Sequence, residues 1–430
     1  MALRAQRLEL KGPWHFLQRP GIGFYAALGA GTLLRLFYVF FTEGTLDVFI
    51  WQGHAQCVFD QGLLACYENG TYTLNHPPPM SLVAAGVNQL ATLTGLPFSI
   101  AFRLPFVLLD GATALLLFMA LSRATDERIR RARFVFVALY WINPLSAVLS
   151  AHHGNTDIAV AFFLLASTLY VSQGRGFIAG ALLGLSLWIK VPGLLGAPIL
   201  LLALPSWKER FHFSLGLGLC LALGYGPWLV LDPELVIRSV FLYPGLMIQT
   251  TAGTRIWGLD VFYPLIAQID PLLSTWIIKV RSFHYQWNTF ICLIPILTFS
   301  IFRETRSSSE SIIRGLAGTY IIFYGFSDFW AFQYLAWSLP FWFLLGTRMA
   351  TATYLVSLVY LYGLYAWLTG SPWLLGDWAF IEKSVWPTAL LWIRDAAVLT
   401  FFVSALILLI DTARATRTRW RETKRPLSWL

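Results

Sequence analysis

The sequence predicts an all-α polytopic membrane protein of about 12 transmembrane helices, and three observations predict it. Of 430 residues, 57% are hydrophobic and 16% aromatic, while only 12% are Asp, Glu, Lys or Arg, against roughly 25% in an average soluble domain. Mean hydropathy is +0.63, and apolar runs recur at lengths near the roughly 20 residues that cross a bilayer as helix. The net charge of +9 sits in short connectors: Arg4, Arg7, Lys11 and Arg19 before the first run, Arg123 to Arg133 in one connector, and Arg414 to Arg425 in the tail. Such placement marks cytoplasmic loops that touch anionic headgroups and argues against nucleic acid as a partner.

Threading the apolar runs between the basic connectors predicts helices at about 21–41, 101–121, 134–150, 157–173, 177–190, 192–205, 212–231, 286–302, 313–327, 331–346, 350–369 and 387–411, with both termini cytoplasmic. The run from Gly21 to Phe41 has no small-residue cleavage site, so it reads as a retained helix. The stretch from Ser81 to Leu96 carries Asn88 and Gln89 and reads as an interfacial helix. The chain then forms one integral domain, 1–430, with a first external loop at 42–100, a second at 232–285 and a basic cytoplasmic tail at 412–430. Both loops are rich in Trp, Tyr, Pro and Phe, a composition that argues for order and function. No 20–50-residue repeat is evident.

The first loop begins with Asp47, a few residues past the end of the first helix, and helical spacing places Trp51, His54 and Ala55 along the same face. An acid at this interface is partly desolvated, which raises its pKa and suits it to act as a general base toward a hydroxyl; its alternative role is a first-turn helix cap. Cys57 and Cys66 share this polar segment, where an oxidising compartment would pair them and a reducing one would leave two free thiols. His76 leads three prolines that force an extended entry into the next element; it binds substrate or hydrogen-bonds nearby backbone. Asn69-Gly70-Thr71 fits a glycosylation acceptor.

His152, His153, Gly154, Asn155, Thr156 and Asp157 form a polar turn between two expected spans, where polar groups tend to be functional. Adjacent histidines lack metal-ligand spacing, so no cofactor is expected and a divalent metal has no support. Lys190, at the end of an apolar run and before Val191-Pro192, either snorkels or meets an anion, and Arg255 is a second anion contact. Arg35, near the outer end of the first helix, is a third candidate anion contact, with an intramembrane partner such as Asp110 as its alternative role; Arg103 and Asp110, at helical spacing, form a further candidate pair. Gln333, beside Asp328, offers an amide and a carboxylate of the kind that hold sugar hydroxyls, whereas an aromatic belt accounts for Tyr334 and Trp337.

Three blocks resemble GT-C fold glycosyltransferases, which use polyprenyl-phosphate sugars, and most resemble the catalytic subunit of GPI mannosyltransferase I and its prokaryotic relatives. They are the acidic loop of Asp47 with Cys66-Tyr67 and the prolines; NPLSAVLSAHHGNTDIAVAFFLLASTLY through AGALLGLSLWIKVPGLL; and QYLAWSLPF. The resemblance implies an inverting transfer of a hexose, mannose first, from a polyprenyl-phosphate donor to a lipid-linked or protein acceptor, with an accessory membrane subunit as a further partner. It implies Asp47 as the catalytic or donor-orienting acid, and Asn155, Asp157, Lys190 and Gln333 around the donor or acceptor. From the residues themselves, Lys190 and Arg255 are expected on the donor phosphate, and His76, His153 and Asp328 around the substrate. The GPI enzymes carry two acids one residue apart where this chain reads Thr45-Leu46-Asp47, a departure that weakens a paired-acid metal site. The short loops favour a bacterial inner membrane over the endoplasmic reticulum. The rival classes are a secondary transporter or lipid flippase, which would need no long proline-rich loop, and a non-catalytic scaffold of the same fold.

Overall fold

A computed structural model describes residues 20–69, 74–242, 257–269, 271–383 and 385–423. The expected basic residues Arg4, Arg7, Lys11, Arg19, Lys424 and Arg425, together with Gly70, Thr71 and Arg255, lie outside them. The described chain is helical and contains no strand. Helix α1 (Ile22–Phe41) leads into α2 (Leu46–Gln61), α3 (Leu63–Asn69) and α4 (Pro78–Thr94), followed by α5 (Phe98–Ser122) and α6 (Glu127–Ile142). Next, α7 (Pro144–Ala147) continues as a π turn, Val148–His152, bent by 51° from α6. Then come α8 (Asp157–Val171), α9 (Gly176–Ile189), a 3-10 segment Val191–Gly196, α10 (Ala197–Ala203), α11 (Trp207–Leu231) and α12 (Pro233–Val236). The remaining helices are α13 (Phe262–Ile269), α14 (Pro271–Phe302), α15 (Ser309–Phe326), α16 (Thr347–Thr369) and α17 (Thr388–Thr423).

Among the described residues six helices are long and apolar enough to cross a membrane, or seven if the bent α6–α7 pair is one span. Helices α8 and α9, and the 3-10 segment with α10, fall where spans are expected but are shorter. Of these, α8 is an interior element, whereas α9 and the 3-10 segment expose Phe177, Ile178 and Leu194. Helix α8 is apolar all round and buried along most of its length, as is α15, the pattern of helices enclosed by others. Outer helices turn apolar side chains outward, such as Leu219, Leu223 and Val230 of α11 and Trp276, Phe283 and Phe290 of α14; this is the face that lipid would cover.

Contacts fix the direction of each crossing. Phe24 meets Phe134 and Gly31 meets Trp141, so α1 and α6 run parallel. Gly176, Gly180 and Gly184 of α9 press against Glu209, Phe213 and Cys220 of α11, again in parallel. A Cβ on Gly180 would lie 1.9 Å from the Phe213 carbonyl oxygen, and one on Gly216 would lie 2.1 Å from that of Phe177. Only glycine permits two backbones to come this close. Thr125 bonds Glu310 and Thr416 bonds Phe302 at one end of the bundle, whereas Asp47, the His152–Asp157 turn, Lys190 and the 332–337 segment meet at the other.

Arg35 does not stand open as an anion contact: Asp110 holds it, which is the alternative role. Nε donates to Asp110 Oδ2 at 2.8 Å, NH2 lies 2.8 Å from the same oxygen, and the remaining donors reach the Gly31 and Trp141 carbonyls and Ser146 Oγ. Tyr140 O–H donates to the other carboxylate oxygen. Arg103 does not join them. It crosses to the end of α1, where its NH1 and NH2 donate to the carbonyls of Tyr38, Val39 and Thr42, so a buried guanidinium satisfies the carbonyls that a helix C-terminus leaves open.

Two helix expectations need correction. The stretch 331–346 is a pair of 3-10 segments, Phe332–Trp337 and Leu339–Leu344, because Ser338 leaves the helical region at φ −131° and Pro340 offers no N–H. Helix α14 starts at Pro271 and not near 286. Its polar residues are satisfied from neighbouring elements: Arg281 donates twice to Asp260, at 2.6 and 2.7 Å, and His284 lies between Tyr263 Oη, at 2.7 Å, and the Phe326 carbonyl, at 2.9 Å.

Candidate active site

Asp47 occupies the first turn of α2. Thr45 caps the helix, its Oγ1 accepting from the Asp47 N–H at 3.3 Å while donating to the His153 carbonyl at 2.7 Å. The cap therefore ties α2 to the turn that precedes α8. Two left-handed glycines make the approach possible: Gly44 (φ +88°) and Gly154 (φ +74°), whose Cβ positions would lie 2.7 and 2.2 Å from the same Val48 methyl carbon. A side chain at Gly154 would be both strained and obstructed.

The Asp47 carboxylate is held on one side only. His153 Nε2 lies 3.2 Å from Oδ2, and the Asn155 amide donates to the same oxygen. Oδ1 has no hydrogen-bond partner among the described residues. Behind it, His153 Nδ1 is 2.6 Å from the Tyr365 hydroxyl of α16. Burial pushes the Asp47 carboxyl up, but His153, Lys190 and the Asn155 amide together outweigh it and hold it below the ordinary carboxylate range. This corrects the expectation of a raised pKa, because interfacial desolvation is only one of the influences and the nearby donors and cations are stronger.

Asp157 opens α8, and its two oxygens are both engaged. Lys190 Nζ lies 2.9 Å from each, and Trp337 Nε1 donates to Oδ1 at 2.5 Å. Asp157 is thus the counter-ion of Lys190. The lysine keeps donor capacity, since its three N–H groups meet only this carboxylate among the described residues, and its side chain is 11% exposed. Tyr334 stacks on Trp337 with centroids 4.1 Å apart, and Lys190 Nζ lies 5.6 Å from the Tyr334 ring. The 3-10 winding of 332–337 delivers Trp337 to the ion pair.

His76 stacks on Trp51 of α2 at 4.0 Å. Burial, with Lys190 and His54 adding to it, pushes its pKa well below 6.5, so it faces the site as a neutral ring with donor and acceptor nitrogens. Gln333 Oε1 is buried without a partner among the described residues, an open acceptor of the kind that a ligand hydroxyl fills. Asp328 sits elsewhere: its N–H donates to Asn288 Oδ1 at 3.0 Å, and its carboxyl, raised by burial with Asp260 adding to the effect, is pushed up to about 7. The structure therefore gathers Asp47, His153, Asn155, Asp157, Lys190 and His76, sets Gln333 beside them in the 3-10 segment, and sends Asp328 toward α14.

Cys57 and Cys66 are bridged, tying the end of α2 to α3. Among the described residues no group of three or more His, Cys, Asp or Glu is placed to hold a metal ion. Tyr365, Trp337 and Arg103 were not singled out as functional by sequence reasoning. The one signal for Tyr365 is a hydroxyl near the C-terminal end of an apolar helix, which needs a partner when buried, and Tyr354, Tyr360 and Tyr362 of the same helix share that signal.

Residues 76–255 match the model of Glycosyltransferase family 87, less than half of the chain. The matched stretch holds His76, His153, Asn155, Asp157, Lys190 and Arg255; Asp47, Asp328 and Gln333 lie outside it. No curated protein matches the chain. The match supports a membrane glycosyltransferase acting among lipids and does not single out the GPI mannosyltransferase I subunit.

Proposed function

We propose that this protein transfers a hexose, with mannose the first to test, from a polyprenyl-phosphate sugar to a lipid-linked or other extracytoplasmic acceptor, with inversion at C1. The observation that carries the reading is the one-sided Asp47 carboxylate: Oδ2 is fixed by two donors and Oδ1 is open. The acceptor hydroxyl lies against Oδ1 and gives it its proton as the hydroxyl oxygen attacks C1. The C1–O bond to phosphate breaks, and its electron pair leaves with the phosphate, whose charge Lys190 meets. A carboxylate held below its ordinary range is a weak base, so it suits a late proton transfer, after an oxocarbenium-like C1 has made the attacking hydroxyl acidic. Asp157 keeps Lys190 in place without competing for the acceptor, and His76 and Gln333 supply contacts for sugar hydroxyls.

The disulfide supports an oxidising compartment around α2 and α3, in keeping with a site on the extracytoplasmic face. Purified protein assayed with a panel of polyprenyl-phosphate sugars tests the proposal. Turnover is expected with one or few donors, and Asp47→Asn is expected to lower kcat by about 100- to 1,000-fold, the usual range for a lost general base. Full turnover by Asp47→Asn with the best donor overturns the assigned role.

A further inference from the structure

His153 Nε2 faces a carboxylate, and a carboxylate has no proton to give. That nitrogen therefore carries the hydrogen. The Tyr365 hydroxyl lies 2.6 Å from Nδ1, across a sequence separation of 212 residues, and Nδ1 is the acceptor within its reach, so Nδ1 is bare and receives the phenol hydrogen. Tyr365 is completely buried, and no other acceptor for its hydroxyl is found among the described residues. Its ring is clasped by Trp378, Phe332 and His152 at centroid distances of 4.8, 5.6 and 5.6 Å, so the hydroxyl has little freedom to leave.

We infer that Tyr365 is a positioning residue: by donating to Nδ1 it fixes the tautomer and ring angle of His153, and through them decides which oxygen of Asp47 is held and which is free. The inference rests on the proposed role of Asp47. Without the phenol hydroxyl, a buried Nδ1 has no donor, and the ring finds relief by shifting its hydrogen to Nδ1, by taking up a second proton or by rotating. The first and last leave Nε2 without its hydrogen or without its aim at Oδ2, so the carboxylate turns and Oδ1 loses its orientation. The second sets an imidazolium against the carboxylate and weakens it further as a base. Each consequence falls on the chemical step and not on substrate binding. Tyr365 keeps its own proton throughout and takes no part in bond making.

Tyr365→Phe tests this, because it keeps the ring that packs against Trp378 and Phe332. In membrane-reconstituted protein labelled with 15N-histidine, the His153 signals are identified by their loss in His153→Gln. Wild type is expected to show the Nε2–H tautomer, and Tyr365→Phe the other tautomer, a mixture or the charged ring. In transfer assays Tyr365→Phe is expected to lower kcat about 10-fold while KM for donor and acceptor stays within about twofold. In a His153→Gln background it is expected to cost nothing more, since the two residues act as one unit. An unmoved His153 tautomer overturns the inference whatever the activity, as do losses that multiply in the double variant. If Asp47→Asn proves fully active while the tautomer shifts as expected, the coupling of Tyr365 to His153 stands and it is the base assignment that fails.

Discussion

The buried ion pairs Arg35–Asp110 and Lys190–Asp157 are finished to different degrees. Arg35 and Asp110 are both fully buried. Every guanidinium N–H has an acceptor, the guanidinium lies 3.7 Å from the centre of the Trp141 ring, and Tyr140 occupies the second carboxylate oxygen. Lys190 and Asp157 are close to the site, and there the carboxylate is saturated by Lys190 and Trp337 while the ammonium is not. A saturated pair has nothing left to offer a ligand and belongs to the scaffold. An unsaturated one in a partly open place can take a further anion, and its cost of burial is offset only when it does so.

The largest expected effect falls on the closed pair. Asp110→Ala should destabilise the protein by about 3–5 kcal/mol by stranding a buried guanidinium, whereas the double replacement Arg35→Met with Asp110→Leu should recover most of that loss. Thermal unfolding in detergent checks both, and a double variant as unstable as the single would mean that the pair itself, and not the stranded charge, carries the loss. Next comes the open pair: Lys190→Ala should raise KM for the lipid-phosphate donor by about 10-fold or more while changing acceptor KM little. Equal losses for the two substrates would make Lys190 structural and erase the distinction.

A third buried carboxyl sharpens the comparison, because Asp328 has no cation partner among the described residues. With its pKa pushed up to about 7, the folded state keeps a proton that the unfolded chain releases near pH 4, so stability should fall as pH rises from about 4 to 7 and level off above. Asp328→Asn should flatten that slope and raise the melting temperature most above pH 7, by a few degrees at about 2–4 °C per kcal/mol. The smallest effect concerns α2. Reducing Cys57–Cys66 should cost at most about 2–3 kcal/mol, the range for a short closed loop, and thiol counting of the unfolded protein should find two reactive thiols before reduction and four after.

Much of the scaffold was legible in the sequence, since apolar length and basic connectors are signals that each segment carries by itself. The Arg35–Asp110 pair was legible only as one of two roles for Arg35, because a charge within an apolar run needs a partner but its sequence does not say whether that partner is a ligand or another side chain. Arg103 was misread: helical spacing put it on one face with Asp110, but spacing does not show that the end of another helix offers a richer set of acceptors. Asp47 was found from its place in the loop, and its electrostatics were not, because the direction of its pKa depends on His153, Asn155 and Lys190, more than 100 residues away in sequence. Tyr365 looked like one more aromatic residue in a span, and only its distance to His153 separates it from the rest.

The three glycines of α9 also bear on partnership. Spaced four apart in an apolar helix, Gly176, Gly180 and Gly184 form the kind of seam by which one membrane protein recognises another. Here α11 of the same chain already fills that seam backbone to backbone. Any accessory subunit or second copy must therefore recognise this protein by some other face.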